Sequence, residues 1–345
     1  QTSVALELLI FRSTGKPVSL VIPGVTQADL SHTVEQFRRA LIASSRVGSS
    51  RYLPTAQTLY QWLIKPIEEE LGAEAIDTIL FSMDSGLRTV PIAALHDGEQ
   101  FLIEKYSVGM IPSLGLMDPH YQPLESAHVL AMGASSFESL QPLPAVPAEI
   151  ETIHHLWPGN KFLNETFTQQ NLINQQRQAP AQIIHLATHA EFKAGNAEDS
   201  YIQLWDKQLK LSDIHTLGWD RPTVDLLVLS ACRTALGDTN AEMGFAGLAV
   251  AAGVKSALAS LWTVSDVGTL ALMSEFYHQL MVTPVKSDAL RAAQLAMLSG
   301  KTRLQENELP ISDSQLPAEL RENLEYLDLS HPYYWAGFTL IGSPW

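Results

Sequence analysis

The chain has a single cysteine, Cys232, among its 345 residues. One thiol excludes an internal disulfide and a thiolate zinc site, so a reducing, cytoplasmic setting is expected. Positive charge is scarce. Lys and Arg number 22 against 37 Asp and Glu, a net charge of −15, with no basic cluster. That balance argues against nucleic acid or an anionic membrane as a direct partner. No run of 18 apolar residues occurs, so no segment reads as a membrane-spanning helix. Short-period repeats are absent. So are G-x-G-x-x-G, G-x-x-x-x-G-K-[ST] and H-E-x-x-H, and the histidines lack metal-ligand spacing; no metal or cofactor is expected. Gln1 stands where a start methionine would, and no signal peptide follows, so the chain is expected to be a piece of a longer protein.

Apolar residues make up 46% of the chain, enough for a full core. "VALELLIFR" (4–12) and "PVSLVIPG" (17–24) predict a hairpin, and "TQADLSHTVEQFRRAL" (26–41) a helix. "LYQWLIKPIEEEL" (59–71) predicts a helix split at Pro66. "AIDTILFSM" (75–83) reads as a buried strand, and "DGEQFLIEKYSVGMIPS" (97–113) as one or two strands closing a first unit. A boundary is expected near 121–127. Beyond it, strands at 128–135, 161–165, 181–188, 224–231, 254–262 and 335–342 alternate with helices at 147–157, 168–179, 244–253 and 268–281. Ser287 or Asp288 is expected to cap one more helix, running to Leu298. Residues 300–330 read as a surface insertion. The expected fold is α/β, a mostly parallel sheet covered on both faces. Ligands in such folds bind beyond the carboxyl ends of the strands.

That rule puts "THAEF" (188–192) and "ACRTALG" (231–237) on one working edge, because each directly follows an apolar strand. His189 and Cys232 are 43 positions apart (189 to 232). A nucleophilic thiol needs an imidazole within hydrogen-bond reach, and adjacent strand ends lie about 5 Å apart. Each residue also has a plain structural reading. A lone cysteine after an apolar run is a packing thiol in most proteins, and a lone histidine a satisfied core residue. His185 shares strand parity with His189, so alternation alone leaves both open as the base.

The ordered stretches "IIHLATHAEF", "LLVLSACRTALG", "GLAVAAGVKSALASLWTVSD" and "HPYYWAGFTLIG" resemble the CHAT family of caspase-like cysteine peptidases. The likeness extends over the whole chain. It implies a three-layer α/β/α caspase-like fold, with residues 1–125 an accessory caspase-like half lacking the nucleophile and 126–345 the catalytic half. It implies His189 and Cys232 as the catalytic pair of an endopeptidase acting on protein substrates, and N-terminal tetratricopeptide repeats in the full-length protein. Cys232 and Ala190 would supply the oxyanion N–H groups. Many relatives carry Gly after the histidine. Ala190 keeps the needed N–H if its φ is not positive. Relatives reading "SACET" have Glu where Arg233 stands; its charge would lower the thiol pKa or bind an acidic partner.

"SLWTVSD" (260–266) also resembles the "LWDVTD" stretch of separase, a related peptidase that prefers arginine. The likeness makes Asp266 a candidate receptor for a basic side chain, with Glu138 and Asp199 as further acids. Against this, Asp266 also fits as a helix N-cap, and the other two as solvated loop acids. Arg233 is the counter-indication, since it suits an acidic residue at the cleaved position. "DTNAE" (238–242), polar and next to the nucleophile, is expected to rearrange on activation. Two alternatives remain at this point: a catalytically idle caspase-like interaction module, and a small-molecule thiol hydrolase.

Overall fold

The computed structural model describes residues 5–12, 15–44, 49–73, 76–84, 86–118, 120–121, 124, 126–192, 198–220, 223–230, 233–234, 250, 253–283, 285–302, 304 and 327–345. Strands β1 (Ala5–Ile10) and β2 (Val18–Thr26) pair antiparallel as the expected hairpin. Helix α1 (Gln27–Ser44) follows. Pro66 splits the next segment into α2 (Leu53–Leu63), a 3-10 turn and α3 (Glu68–Ala73). Strand β3 (Thr78–Phe81) is half-buried rather than buried, because it forms one edge of the main sheet. The segment 97–113 is not purely strand. It forms a short helix, α4 (Leu102–Lys105), then β4 (Ser107–Met110). Glu104 Oε2 reaches back to the N–H of Phe101 at 2.6 Å, which favours a helical turn there.

The second series runs β5 (Val129–Gly133), α5 (Val146–Leu156), β6 (Gly159–Leu163), α6 (Gln169–Gln178) and β7 (Ile183–Ala187). Short strands β8 (Ala190–Phe192), β9 (Tyr201–Gln203) and β10 (Gln208–Lys210) precede β11 (Leu226–Leu229). Then come β12 (Arg233–Thr234), β13 (Ser256–Ser260), α7 (Asp266–Val282), α8 (Lys286–Leu298), α9 (Pro332–Trp335) and β14 (Phe338–Gly342). The small-residue helix expected over 244–253 and the insertion over 300–330 lie largely outside the described residues. Neither Ser287 nor Asp288 caps α8. The N-cap is Val285, and Asp288 instead accepts from Ser107 Oγ at 2.5 Å, which ties α8 to β4.

The main sheet has eight strands in the order β3-β4-β14-β13-β11-β7-β5-β6. β4, rather than ending a sheet, lies between β3 and β14 and pairs parallel with both. Strands β13, β11, β7, β5 and β6 are mutually parallel. β14 runs antiparallel to β13, so β14, β4 and β3 point the other way. The architecture is thus α/β with a mostly parallel sheet. Helices α5, α7 and α8 pack together against one face. α6 crosses from β6 back to β7, in the sense opposite to α5, so right-handed connections place it on the other face. Within the parallel block the chain reverses direction of travel between β5 and β7, and the carboxyl ends beside that point form the expected ligand crevice.

The opposite edge holds a buried cation. Lys286 Nζ lies 3.3 Å from the carbonyl of Asp225, whose carboxylate is taken by Lys255 at 2.7 Å. Burial pushes the Lys286 ammonium down to about 8 from its ordinary 10.5. Between those values the unfolded chain holds a proton that the native state lacks, so stability rises with pH there. Lys286→Met is expected to raise the unfolding midpoint at pH 7 and to flatten that alkaline rise. Thermal melts from pH 7 to pH 10 check this, and an unchanged slope contradicts it.

Candidate active site

Parallel strands β6, β5, β7, β11 and β13 deliver their following residues to one edge. After β7, Thr188 Oγ1 donates to the carbonyl of Gln203 at 2.6 Å, and the carbonyl of His189 accepts from the N–H of Gln203 at 2.8 Å. These bonds fix the backbone on both sides of the histidine. The His189 ring, half-buried, donates from Nε2 to the carbonyl of Gln141 at 2.7 Å. A carbonyl only accepts, so Nε2 carries the proton and Nδ1 is the basic nitrogen of the neutral ring. Phe137 tilts against the imidazole with centroids 4.8 Å apart. The sequence pointed to His189 but not to its carbonyl partner, which is a backbone group with no residue-type signature.

His185, the other candidate base, is fully buried on β7, four residues before His189. Its Nε2 lies 3.0 Å from Glu149 Oε1 and its Nδ1 3.2 Å from Tyr277 Oη. The contact with Glu149 is close but poorly directed, leaving both atoms without a well-aligned hydrogen bond. Burial, then the Glu149 carboxylate, pushes the Tyr277 phenol well above its usual range. His185→Ala is expected to cost roughly 2–4 kcal/mol of stability, since it strands a buried acid. Urea unfolding measures this. A stable His185→Ala protein that has lost activity would transfer the role of base to it.

Asp266 is the first residue of α7, not its cap: Ser265 is the N-cap, with Oγ accepting from Gly268 at 3.4 Å. The Asp266 carboxylate reaches across to α5 instead, where Oδ2 accepts from the N–H of Ala145 at 2.6 Å. Burial pushes its pKa up to about 6; the Ala145 hydrogen bond opposes the rise and the Glu149 carboxylate adds to it. The segment leading to Asp266 is held on several sides. Arg38 Nη2, from α1, donates to the carbonyl of Leu261 at 2.9 Å, Tyr333 Oη to that of Thr263 at 3.0 Å, and Trp262 Nε1 to that of Tyr333 at 3.1 Å. Glu138 is exposed beside Phe137, in the loop between β5 and α5, and Asp199 is exposed two residues before β9.

Ala190 opens β8 and is buried. Asn164 alone has positive φ among the described non-glycine residues, so Ala190 does not. It stands opposite Ile202, between bonded positions, and the alternation of an antiparallel ladder turns its own N–H away from β9, toward β12. Cys232 and the segment 235–249, including "DTNAE", lie outside the described residues. Their neighbours do not. Ahead of Cys232, Leu229 on β11 is in register with Leu186 on β7; beyond it, Arg233 on β12 is in register with Glu191 on β8. Among the described residues no group of three or more His, Cys, Asp or Glu is placed to hold a metal ion, and no helix is long and apolar enough to cross a membrane.

The CHAT domain profile matches residues 53–343. The chain belongs to the CHAT domain family. The CHAT chain is also similar to tetratricopeptide repeat protein 28 of Mus musculus, at 22% identity over 91% of this chain. It spans only 14% of that relative's length. Among solved structures it is similar to the Saccharomyces cerevisiae separase–securin complex, with TM-score 0.47 and 13% identity over 77% of this chain and 16% of that one. A second likeness is to the complex of Porphyromonas gingivalis RgpB pro- and mature domains, with TM-score 0.46 and 9% identity over 92% of this chain and 76% of that one.

Proposed function

We propose that this CHAT domain is a cysteine endopeptidase in which His189 and Cys232 form a dyad that cleaves protein substrates after a basic residue. The observation that carries the reading is the pairing on both sides of the two residues. Segments 186 and 229 are neighbours before them, and 191 and 233 after them, which is the arrangement of flanking strands that a His189–Cys232 pair would need. The Gln141 carbonyl supports the same reading, because it leaves Nδ1 as the nitrogen able to take the thiol proton.

In the proposed cycle, His189 Nδ1 accepts the Cys232 proton and Sγ attacks the peptide carbonyl carbon. The N–H groups of Cys232 and Ala190 hold the oxyanion. The C–N bond breaks as the imidazolium returns its proton to the leaving amine. Water then attacks the thioester with His189 as base, releasing the acid and the free thiol. Asp266 takes the basic side chain. One of its oxygens already accepts from Ala145, so a guanidinium would use Oδ1 and the remaining lone pair of Oδ2. Glu138 and Asp199 are the next acids to try.

Residues 1–125 would form the accessory half and 126–345 the working half, with the full-length protein carrying tetratricopeptide repeats upstream. The form "SACRTALGD" (230–238) favours a narrower kinship with the cyanobacterial heterocyst-differentiation protease HetF. The test of the activity is a digest of a peptide library by the full-length protein. New amino termini at one preferred residue support the peptidase, and a library left intact, with and without the repeat region, supports an idle interaction module.

A further inference from the structure

The loop that orients His189 is the loop that Asp266 holds. It leaves β5 at Gly133, where a Cβ would come within 2.7 Å of Val146 Cγ1 and 2.8 Å of the Ala187 carbonyl, so only glycine lets the loop's far end lie over the strand end. The N–H of Ser135 donates to Asn164 Oδ1 at 2.9 Å, and the N–H of Leu143 to the carbonyl of Ser135 at 2.9 Å, closing the loop on itself. Between the Gln141 carbonyl on His189 and the Ala145 N–H on Asp266 lie Pro142, Leu143 and Pro144, with Pro147 just beyond. Two prolines in three residues fix φ near −65° and restrict the residues before them, so this link is stiff.

We infer that Asp266 is a positioning residue for His189: its hold on Ala145, carried through the stiff Gln141–Ala145 strap, sets the Gln141 carbonyl and thereby the tautomer and orientation of the histidine. The inference rests on His189 being the base of the proposed reaction, but not on arginine selection. It gives Asp266 a second task. An acid that is half-buried beside Glu149 needs a reason to stay, and its raised pKa shows that the site bears a cost for it. A group engaging that carboxylate would report to the histidine through five residues of one loop, so occupation of the specificity acid and readiness of the base are linked.

The experiment is 15N NMR of the histidine rings in the full-length protein. It compares wild type, Asp266→Ala, Asp266→Asn and the Pro142→Gly/Pro144→Gly pair, with His189→Ala assigning the signal. Asn retains an acceptor for Ala145 and Ala does not. The wild type is expected to show His189 as the Nε2–H tautomer. Asp266→Ala and the proline pair are expected to show mixed tautomers, and Asp266→Asn the wild-type signal. Alkylation of Cys232 by iodoacetamide, which needs no basic side chain, should slow about tenfold or more in Asp266→Ala and in the proline pair.

A folded Asp266→Ala protein with an unchanged His189 signal overturns the inference. If Asp266→Ala does not fold, the proline pair decides in the same way, since both ends of the strap are then intact. Loss of arginine preference in Asp266→Asn with a wild-type histidine signal separates substrate choice from positioning. Retained arginine preference there sinks the substrate reading alone.

Discussion

Replacing either Cys232 or His189 with alanine is expected to abolish peptide cleavage, by about four orders of magnitude or more in kcat, while the protein stays folded. The two residues would act as one unit, so the double variant should lose little beyond either single one. The imidazole is only half-buried and its neighbours are held by hydrogen bonds independent of its ring, so His189→Ala has no large packing cost. Circular dichroism and a thermal melt establish that each variant folds, and the release rate from a peptide substrate reads the loss. Near wild-type turnover in either variant would show the dyad to be wrong. The contrast with His185 is sharp: that ring is enclosed and touches Glu149 and Tyr277, so its loss belongs to stability.

The second large effect concerns the cleaved position. Of two otherwise identical peptides, the one with Arg there should be cut faster than the one with Asp, by an amount set by a charge-assisted contact of roughly 2–5 kcal/mol. Lys should rank below Arg, because an ammonium cannot copy the planar fork. Asp266→Asn should remove most of that preference.

The pH dependence follows from the raised pKa of about 6. A guanidinium binds only the ionised acid, so KM for the Arg peptide should rise as pH falls through about 6. Stability moves the other way. Between 3.8 and about 6 the native state keeps a proton that the unfolded chain has lost, so stability falls as pH rises across that window. Above it the ionised, half-buried acid remains a burden, so Asp266→Asn should melt no lower than wild type at pH 7 while losing arginine cleavage. A lower melting point with arginine preference intact would count against both halves of this account. Faster cleavage after Asp would instead give the position to Arg233, which is in register with Glu191.

The inner strands β5, β7 and β11 were legible because each is a short, nearly continuous apolar run, as strands buried on both faces must be. The working edge followed from them, since His189 and the approach to Cys232 each leave such a run. Strand direction was not legible in the same way. β14 is a short, mostly buried run like β11, yet it enters antiparallel, and only the path of the intervening chain decides that. β8, β9 and β10 are three residues each, too short for alternation to register. The likeness of "SLWTVSD" found Asp266 but could not show its reach to Ala145, a contact across 121 positions to a backbone N–H. The Gln141 carbonyl was hidden for the same reason. The density of proline at 142, 144 and 147 was the one sequence signal that a rigid connection lay there.

The most direct measurement of the central claim is covalent labelling with a peptide carrying Arg at the cleaved position and a thiol-reactive acyloxymethyl ketone, followed by mass mapping of the adduct. One adduct is expected, on Cys232, formed quickly in wild type, slowly in His189→Ala and not at all in Cys232→Ala, with the Asp-bearing probe far slower. A full-length protein that takes up neither probe, or that labels at the same rate with and without His189, would contradict it.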